Sequence, residues 1–137
     1  IFSLSSTFKT HIMQKIIKSL FTLLAFLFIT NVAMAQYKMD SDGKTIRNSS
    51  NSSAGRIDSD GKTVRNSNNS SMGRVDSDGK TIRNSNNSMV LRIDGNDIRN
   101  SNNSVIAKMS DVMHDIKDAK PEAIYVALWW FIVKGNK

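Results

Sequence analysis

The chain has 137 residues, a formal net charge of +7, no cysteine and a single proline. Without cysteine there is no disulfide framework, no thiol nucleophile and no thiolate metal centre, so apolar burial and hydrogen bonding must hold the fold. The excess of Lys and Arg is modest, Asp and Glu are interleaved with it, and the basic stretches hold no aromatics for base stacking; no nucleic-acid partner is expected.

Residues 1–12 precede Met13 and read as an over-extended N-terminus without a structural role, which removes His11 from any chemistry. Residues 13–35 read as a secretory signal peptide: Lys15 and Lys18, an apolar run from Leu20 to Ile29, then Ala33-Met34-Ala35, with cleavage expected before Gln36. A membrane helix is the competing reading, but the run is short against the roughly 20 apolar residues a span needs. Export is therefore expected, to the periplasm, the outer membrane or the medium. Lys9, Lys15 and Lys18 lie before Gln36 and no acidic residue does, so the formal charge of the remainder falls from +7 to +4. No cysteine follows the cleavage site to carry a lipid.

From Lys38 the chain repeats itself. Copies run over 38–55, 56–73, 74–91 and 92–107, with starts at 38, 56, 74 and 92 spaced by 18 residues, and a degenerate fifth covers 108–120. A fixed period of this kind signals a repeat architecture. In the second copy, Arg56-Ile57-Asp58 and Thr63-Val64-Arg65 alternate polar and apolar residues with the strand period of two. Asp60-Gly61 between them favours a type I′ hairpin turn, which pairs Ile57 with Val64 on one face. The fourth copy has lost two residues. Folding it about Gly95-Asn96, with Gly95 suited to a type II′ turn, still sets Ile93 opposite Ile98, because losing one residue from each arm preserves the face. Asn66-Ser67-Asn68-Asn69-Ser70 makes the second turn of the period, since Asn tolerates positive φ and bonds nearby backbone.

Each copy buries about one side chain per strand, too little for an isolated hairpin. The fold class expected is mainly β, with hairpins arranged radially as a shallow closed ring or barrel of about five petals. The recurring DSDG-K-T-[IV]-R-N-S pattern after a signal peptide, with an aromatic C-terminal tail, resembles the five-fold beta-flower proteins, small exported proteins of Bacteroidota. The match covers roughly Gln36 to Val133; in the fifth copy Lys108-Met109-Ser110 fits a first strand, but no Asp-Gly or Asn-Ser turn follows. The resemblance implies five petals about an axis and implies no activity.

Residues 121–137 form an apolar aromatic C-terminal segment. Pro121 and Glu122 suit a helix start, and Ala123 to Val133 is an unbroken run of 11 apolar residues including Trp129, Trp130 and Phe131. A helix apolar on every side must be buried or leave water. The readings are a plug, helix or strand, for the ring of petals, or a segment docking on a membrane surface or protein partner through residues such as Trp129 and Trp130.

Little chemistry is legible. Asp58-Ser59-Asp60-Gly61 fails the calcium-loop pattern, because with Gly61 at position 6 Arg56 falls at position 1 and Ser67 at position 12. His114 stands among Asp111, Asp115 and Asp118 without a nucleophile, so no catalytic residue, cofactor or metal ligand is assigned. Arg47, Arg65, Arg83 and Arg99 recur once per copy, as do Asp42, Asp60 and Asp78. They read as a solvated face, or else as a polar rim for an anionic small molecule or glycan. The function expected is a non-catalytic structural or interaction module, with binding through the Arg/Asp rim as the alternative.

Overall fold

The computed structural model describes residues 5–29 and 36–137. The described residues belong to two units, divided between Met34 and Ala35. The first holds one helix, α1 (Ser6–Ile29), so the segment read as an N-terminal extension is helical from Ser6 onward. The proposed cleavage motif, Ala33-Met34-Ala35, lies outside the described residues. Among the described residues no helix is long and apolar enough to cross a membrane.

The second unit is mainly β. Its described strands form one sheet: β1 (Tyr37–Met39), β2 (Thr45–Arg47), β3 (Ser53–Ile57), β4 (Thr63–Asn66), β5 (Ser71–Val75), β6 (Thr81–Asn84), β7 (Met89–Asp94), β8 (Asp97–Asn100), β9 (Val105–Lys108) and β10 (Ile116–Lys117). Neighbours from β1 to β9 follow chain order and pair antiparallel; β10 pairs with β1 in parallel. The sheet is not closed, because β9 and β10 are its two edges.

Hairpin register follows the apolar pattern. Ile57 faces Val64, Val75 faces Ile82, and Ile93 faces Ile98. These residues, with Met39, Ile46 and Leu91, line the buried face. Each such side chain contributes about 1.5–3 kcal/mol of burial, and the copies must share one core to reach a useful total. The turn chemistry differs from the type I′ expectation. The Gly61 N–H donates to Asp58 O at 3.0 Å, so Ser59 and Asp60 are the central residues and Gly61 follows them. Gly61 has φ of +68° and Asp60 keeps a negative φ. The Asp60 carboxylate explains the preference: Oδ1 accepts the Lys62 and Thr63 N–H groups at 2.8 and 2.9 Å, and Oδ2 accepts the Thr63 hydroxyl at 2.6 Å. A right-handed Asp60 aims its side chain at these donors.

Between hairpins the second turn works similarly. The Asn69 N–H donates to Asn66 O at 3.0 Å, Asn69 sits at φ of +66°, and Asn66 Oδ1 accepts the Ser70 N–H at 2.9 Å. After it the register slips: Val64 faces Gly73 but Arg65 faces Ser71, leaving Met72 as a bulge. Equivalent bulges occur after β2, β6 and β8. A bulge at every inter-hairpin connection bends the strands and raises the sheet's twist.

The fifth copy departs from expectation. The strand β9 ends at Lys108, and Met109 opens a helix, α2 (Met109–Asp115), rather than continuing a first strand. No turn sequence follows to reverse the chain, while buried Met109, Val112 and Ile116 recur at helical spacing. Asp111 Oδ2 accepts the Lys108 N–H at 2.7 Å, which caps the helix and occupies a donor at the strand's end.

The apolar tail is helical. A short helix α3 (Ala123–Leu128) continues into a π-helical turn over Trp129–Val133, and Tyr125 to Trp129 and Phe131 are buried. It packs on β3, β4, β5 and β6. One register position records this contact. Immediately before each copy's first residue stand Tyr37, Gly55, Gly73, Leu91 and Ala107. A Cβ on Gly55 would come within 2.9 Å of Ile132 Cδ1, and one on Gly73 within 2.5 Å of Phe131 Cε2. At these two positions glycine leaves room for the tail, and the backbone O of Arg65 and of Arg83 stands nearer still.

Candidate functional site

The face of the sheet opposite the core carries the recurring arginines. Because Lys38 faces Arg47, Arg56 faces Arg65, Arg74 faces Arg83 and Arg92 faces Arg99, each hairpin sets two cations directly across from one another. Such pairs repel unless something intervenes. An aspartate does. Asp58 Oδ2 accepts Arg65 Nε at 2.6 Å while Oδ1 lies 3.3 Å from Arg56 Nη2. Asp76 sits the same way, 2.7 Å from Arg83 Nε and 3.7 Å from Arg74 Nη2. In the first hairpin Arg47 Nε donates to Asp40 Oδ2 at 2.8 Å.

A second bond fixes each guanidinium. Nη1 of Arg47, Arg65, Arg83 and Arg99 donates to the backbone O of Asn51, Asn69, Asn87 and Asn103, at 3.0, 3.0, 3.1 and 3.0 Å. These are the residues at positive φ in the inter-hairpin turns. Arg56 and Arg74 reach the same turns from the neighbouring strand, donating to Asn69 Oδ1 at 2.6 Å and Asn87 Oδ1 at 2.8 Å. The arginines thus link each hairpin's Asp to the following turn.

No protein-family model, curated protein or solved structure matches this chain. Its chemistry must be read from its own geometry.

The sequence grouped Asp42, Asp60 and Asp78 with the arginines as one rim, but the structure separates them. They cap the hairpin turns, and it is Asp40, Asp58 and Asp76 that meet the guanidinium groups. Bonds from Thr45, Thr63 and Thr81 are the chief reason the three turn aspartates titrate below the ordinary carboxylate range, Asp78 at about 2.

The shortened fourth hairpin breaks the pattern. Losing two residues moves Asp94 to the turn, facing Asp97, so Arg99 Nε lies 3.4 Å from Asp94 Oδ2 and makes no hydrogen bond. Asp97 pairs with Lys108 and also lies 3.6 Å from Arg99 Nη2. Arg99 belongs to the row by position while its carboxylate clamp is looser.

The two tryptophans are far from this face. Trp129 is 5% exposed, and its Nε1 donates to Asp115 Oδ2 at 2.8 Å. Lys134 Nζ lies 3.3 Å from the same oxygen and 5.1 Å from the Trp129 ring centroid. Trp130 is half-buried, its ring centroid 6.4 Å from that of Trp129. Burial works to raise the Asp115 pKa, and the bonds from Trp129, His114 and Lys134 outweigh it and hold it below the ordinary range. Asp115 is a structural key that sequence reasoning treated only as a neighbour of His114. That histidine is exposed, 3.3 Å from Asp115 Oδ1. Nothing in the sequence links Asp115 to Trp129, because the pairing depends on how α2 packs against the tail.

Proposed function

We propose that this chain is an exported, non-catalytic structural or interaction module, its hairpins set radially about the C-terminal helix in the manner of the beta-flower proteins. The observation that carries the reading is the commitment of the recurring arginines to their own scaffold. Arg47, Arg65 and Arg83 each spend Nε on a carboxylate and Nη1 on a turn carbonyl. A rim built to take an anionic glycan keeps such donors free; here they tie each hairpin to the turn that follows it within the same copy. Radial placement is supported by a helix lying against four successive strands, and by Tyr125, whose hydroxyl donates to Gly43 O at 3.3 Å in a different hairpin. Export rests on the basic, apolar and Ala-x-Ala order of residues 13–35.

The test is the pair of substitutions Arg65→Gln and Arg83→Gln. A structural role predicts a loss of unfolding free energy of about 1 kcal/mol per site, after allowing for the partial exposure of the guanidinium groups. Unchanged stability with loss of binding to anionic glycans would move the function to the rim. Expression of the full chain in a Gram-negative host, with the N-terminus of the recovered protein read by mass spectrometry, checks export: a start at Gln36 is expected, and an uncleaved cytoplasmic product removes that part of the reading.

A further inference from the structure

The second unit has an opening that the module reading does not use. A cavity of about 520 Å³ lies at the hairpin tips, between the turns at Gly61, Gly79 and Gly95 and the segment entering α3. Its apolar lining includes Val75, Ile93, Met109 and Ile124, and its charged lining includes Lys62, Lys80 and Glu122.

The tail meets the hairpin tips unevenly. At the first hairpin, Tyr125 closes over the tip, its hydroxyl bonded to Gly43 O. At the other three tips no atom lies within 4 Å of where a glycine Cβ would stand, so those turns remain uncovered. The missing fifth hairpin contributes Met109 to the lining in place of another tip.

The charges divide usefully. Among the described residues, the salt bridges engage Arg, His114, Lys108 and Lys134, leaving Lys62, Lys80 and Glu122 outside any ion pair; Asp76 is held by Arg74 and Arg83. Two cations on successive turns and one anion on the segment entering α3, around an apolar lining, complement a molecule with a carboxylate, an ammonium group and an apolar body. The space admits a small molecule of about dipeptide size. Its volume also falls in the range of ligand sites, about 300–1,000 Å³.

We propose that this cavity binds a short zwitterionic peptide with apolar side chains, its carboxylate at Lys62 and Lys80 and its ammonium group at Glu122. The site is separate from the arginine face and does not depend on the module reading. All three charged residues are exposed, so replacing them leaves the core intact.

The experiment is an NMR titration of the full chain with leucyl-leucine, its N-acetyl derivative and its C-terminal amide. Saturable shifts are expected at the amides of Gly61, Gly79, Gly95 and Ile124, with a Kd below ~1 mM. Blocking either end should weaken binding about tenfold, Lys62→Ala with Lys80→Ala should reproduce the effect of the amide, and Glu122→Gln that of acetylation. No saturable shift by ~10 mM, shifts confined to other residues, or equal binding of the blocked peptides would each overturn the proposal. So would a simple aliphatic carboxylate that binds as tightly as the dipeptide.

Discussion

Gly73 and Phe131 are in contact across the core so closely that the glycine's missing Cβ defines the space the ring occupies. A Cβ there would come within 2.5 Å of Phe131 Cε2 and Cζ, and would also collide with the backbone O of Arg83. Gly73→Ala therefore forces both a ring and a ladder strand to move, and a loss of about 2–3 kcal/mol is expected. Gly61→Ala is the control. Its Cβ meets nothing within 4 Å, and its cost comes from φ of +68°, about 1–2 kcal/mol. Denaturant midpoints for the two variants, with and without Phe131→Leu, separate crowding from backbone strain. The smaller residue at 131 should recover part of the Gly73→Ala loss and none of the Gly61→Ala loss. Equal recovery in both would show that the ring does not set the constraint.

The turn aspartates make an acid-unfolding prediction. Asp42, Asp60 and Asp78 have folded pKa values below the unfolded value, so their contribution is fully present above about pH 4 and is lost as pH falls through the folded values, about 2 for Asp78. Thermal midpoints should fall across this window. Replacing all three with Asn keeps an acceptor for the turn N–H groups but removes the titration, so the variant's midpoint should change less with pH there. A wild-type midpoint that is flat between pH 4 and pH 2 would place acid sensitivity elsewhere.

Asp115 and Trp129 should be energetically coupled. Asp115→Ala leaves the buried Trp129 N–H without its 2.8 Å acceptor, at a cost of about 1–3 kcal/mol. In a Trp129→Phe background the same change should cost less, and a double-mutant cycle reads the difference directly. Coupling of about 1 kcal/mol is expected. A cycle that closes at zero would mean that the indole and carboxylate do not share a bond in solution.

Much of the sheet was legible because hairpin formation is local. Ile57 and Val64 meet because seven residues with a reversing turn put them on the same face, whatever else the chain does. Even the shortened copy kept Ile93 against Ile98, since removing one residue from each arm cannot change side-chain parity. The turn subtype was not legible: the choice between Asp60 at positive or negative φ depended on a carboxylate reaching three donors at once. The arginine row was visible as a periodicity, but the aspartates that meet Arg47, Arg65 and Arg83 lie two residues before the ones the sequence grouped with them. Asp58 and Asp60 are only two residues apart, and the fold of the turn sends one to the arginine and the other to the backbone.

The sequence by itself determined the repeat period, the strand pairing within each hairpin and the polar character of both turns, because these rest on side-chain parity and on residues a few positions apart. Only the tertiary structure decided that the fifth copy folds as α2, that the sheet is left open, and that Trp129 is buried against Asp115. It also decided that Tyr125 bonds the first hairpin tip at Gly43 O, while no atom stands within 4 Å of a Cβ at the other three tips. Those outcomes turn on packing such as Ile132 against Gly55 and Phe131 against Gly73, and packing between segments so far apart in the chain leaves no local pattern to read.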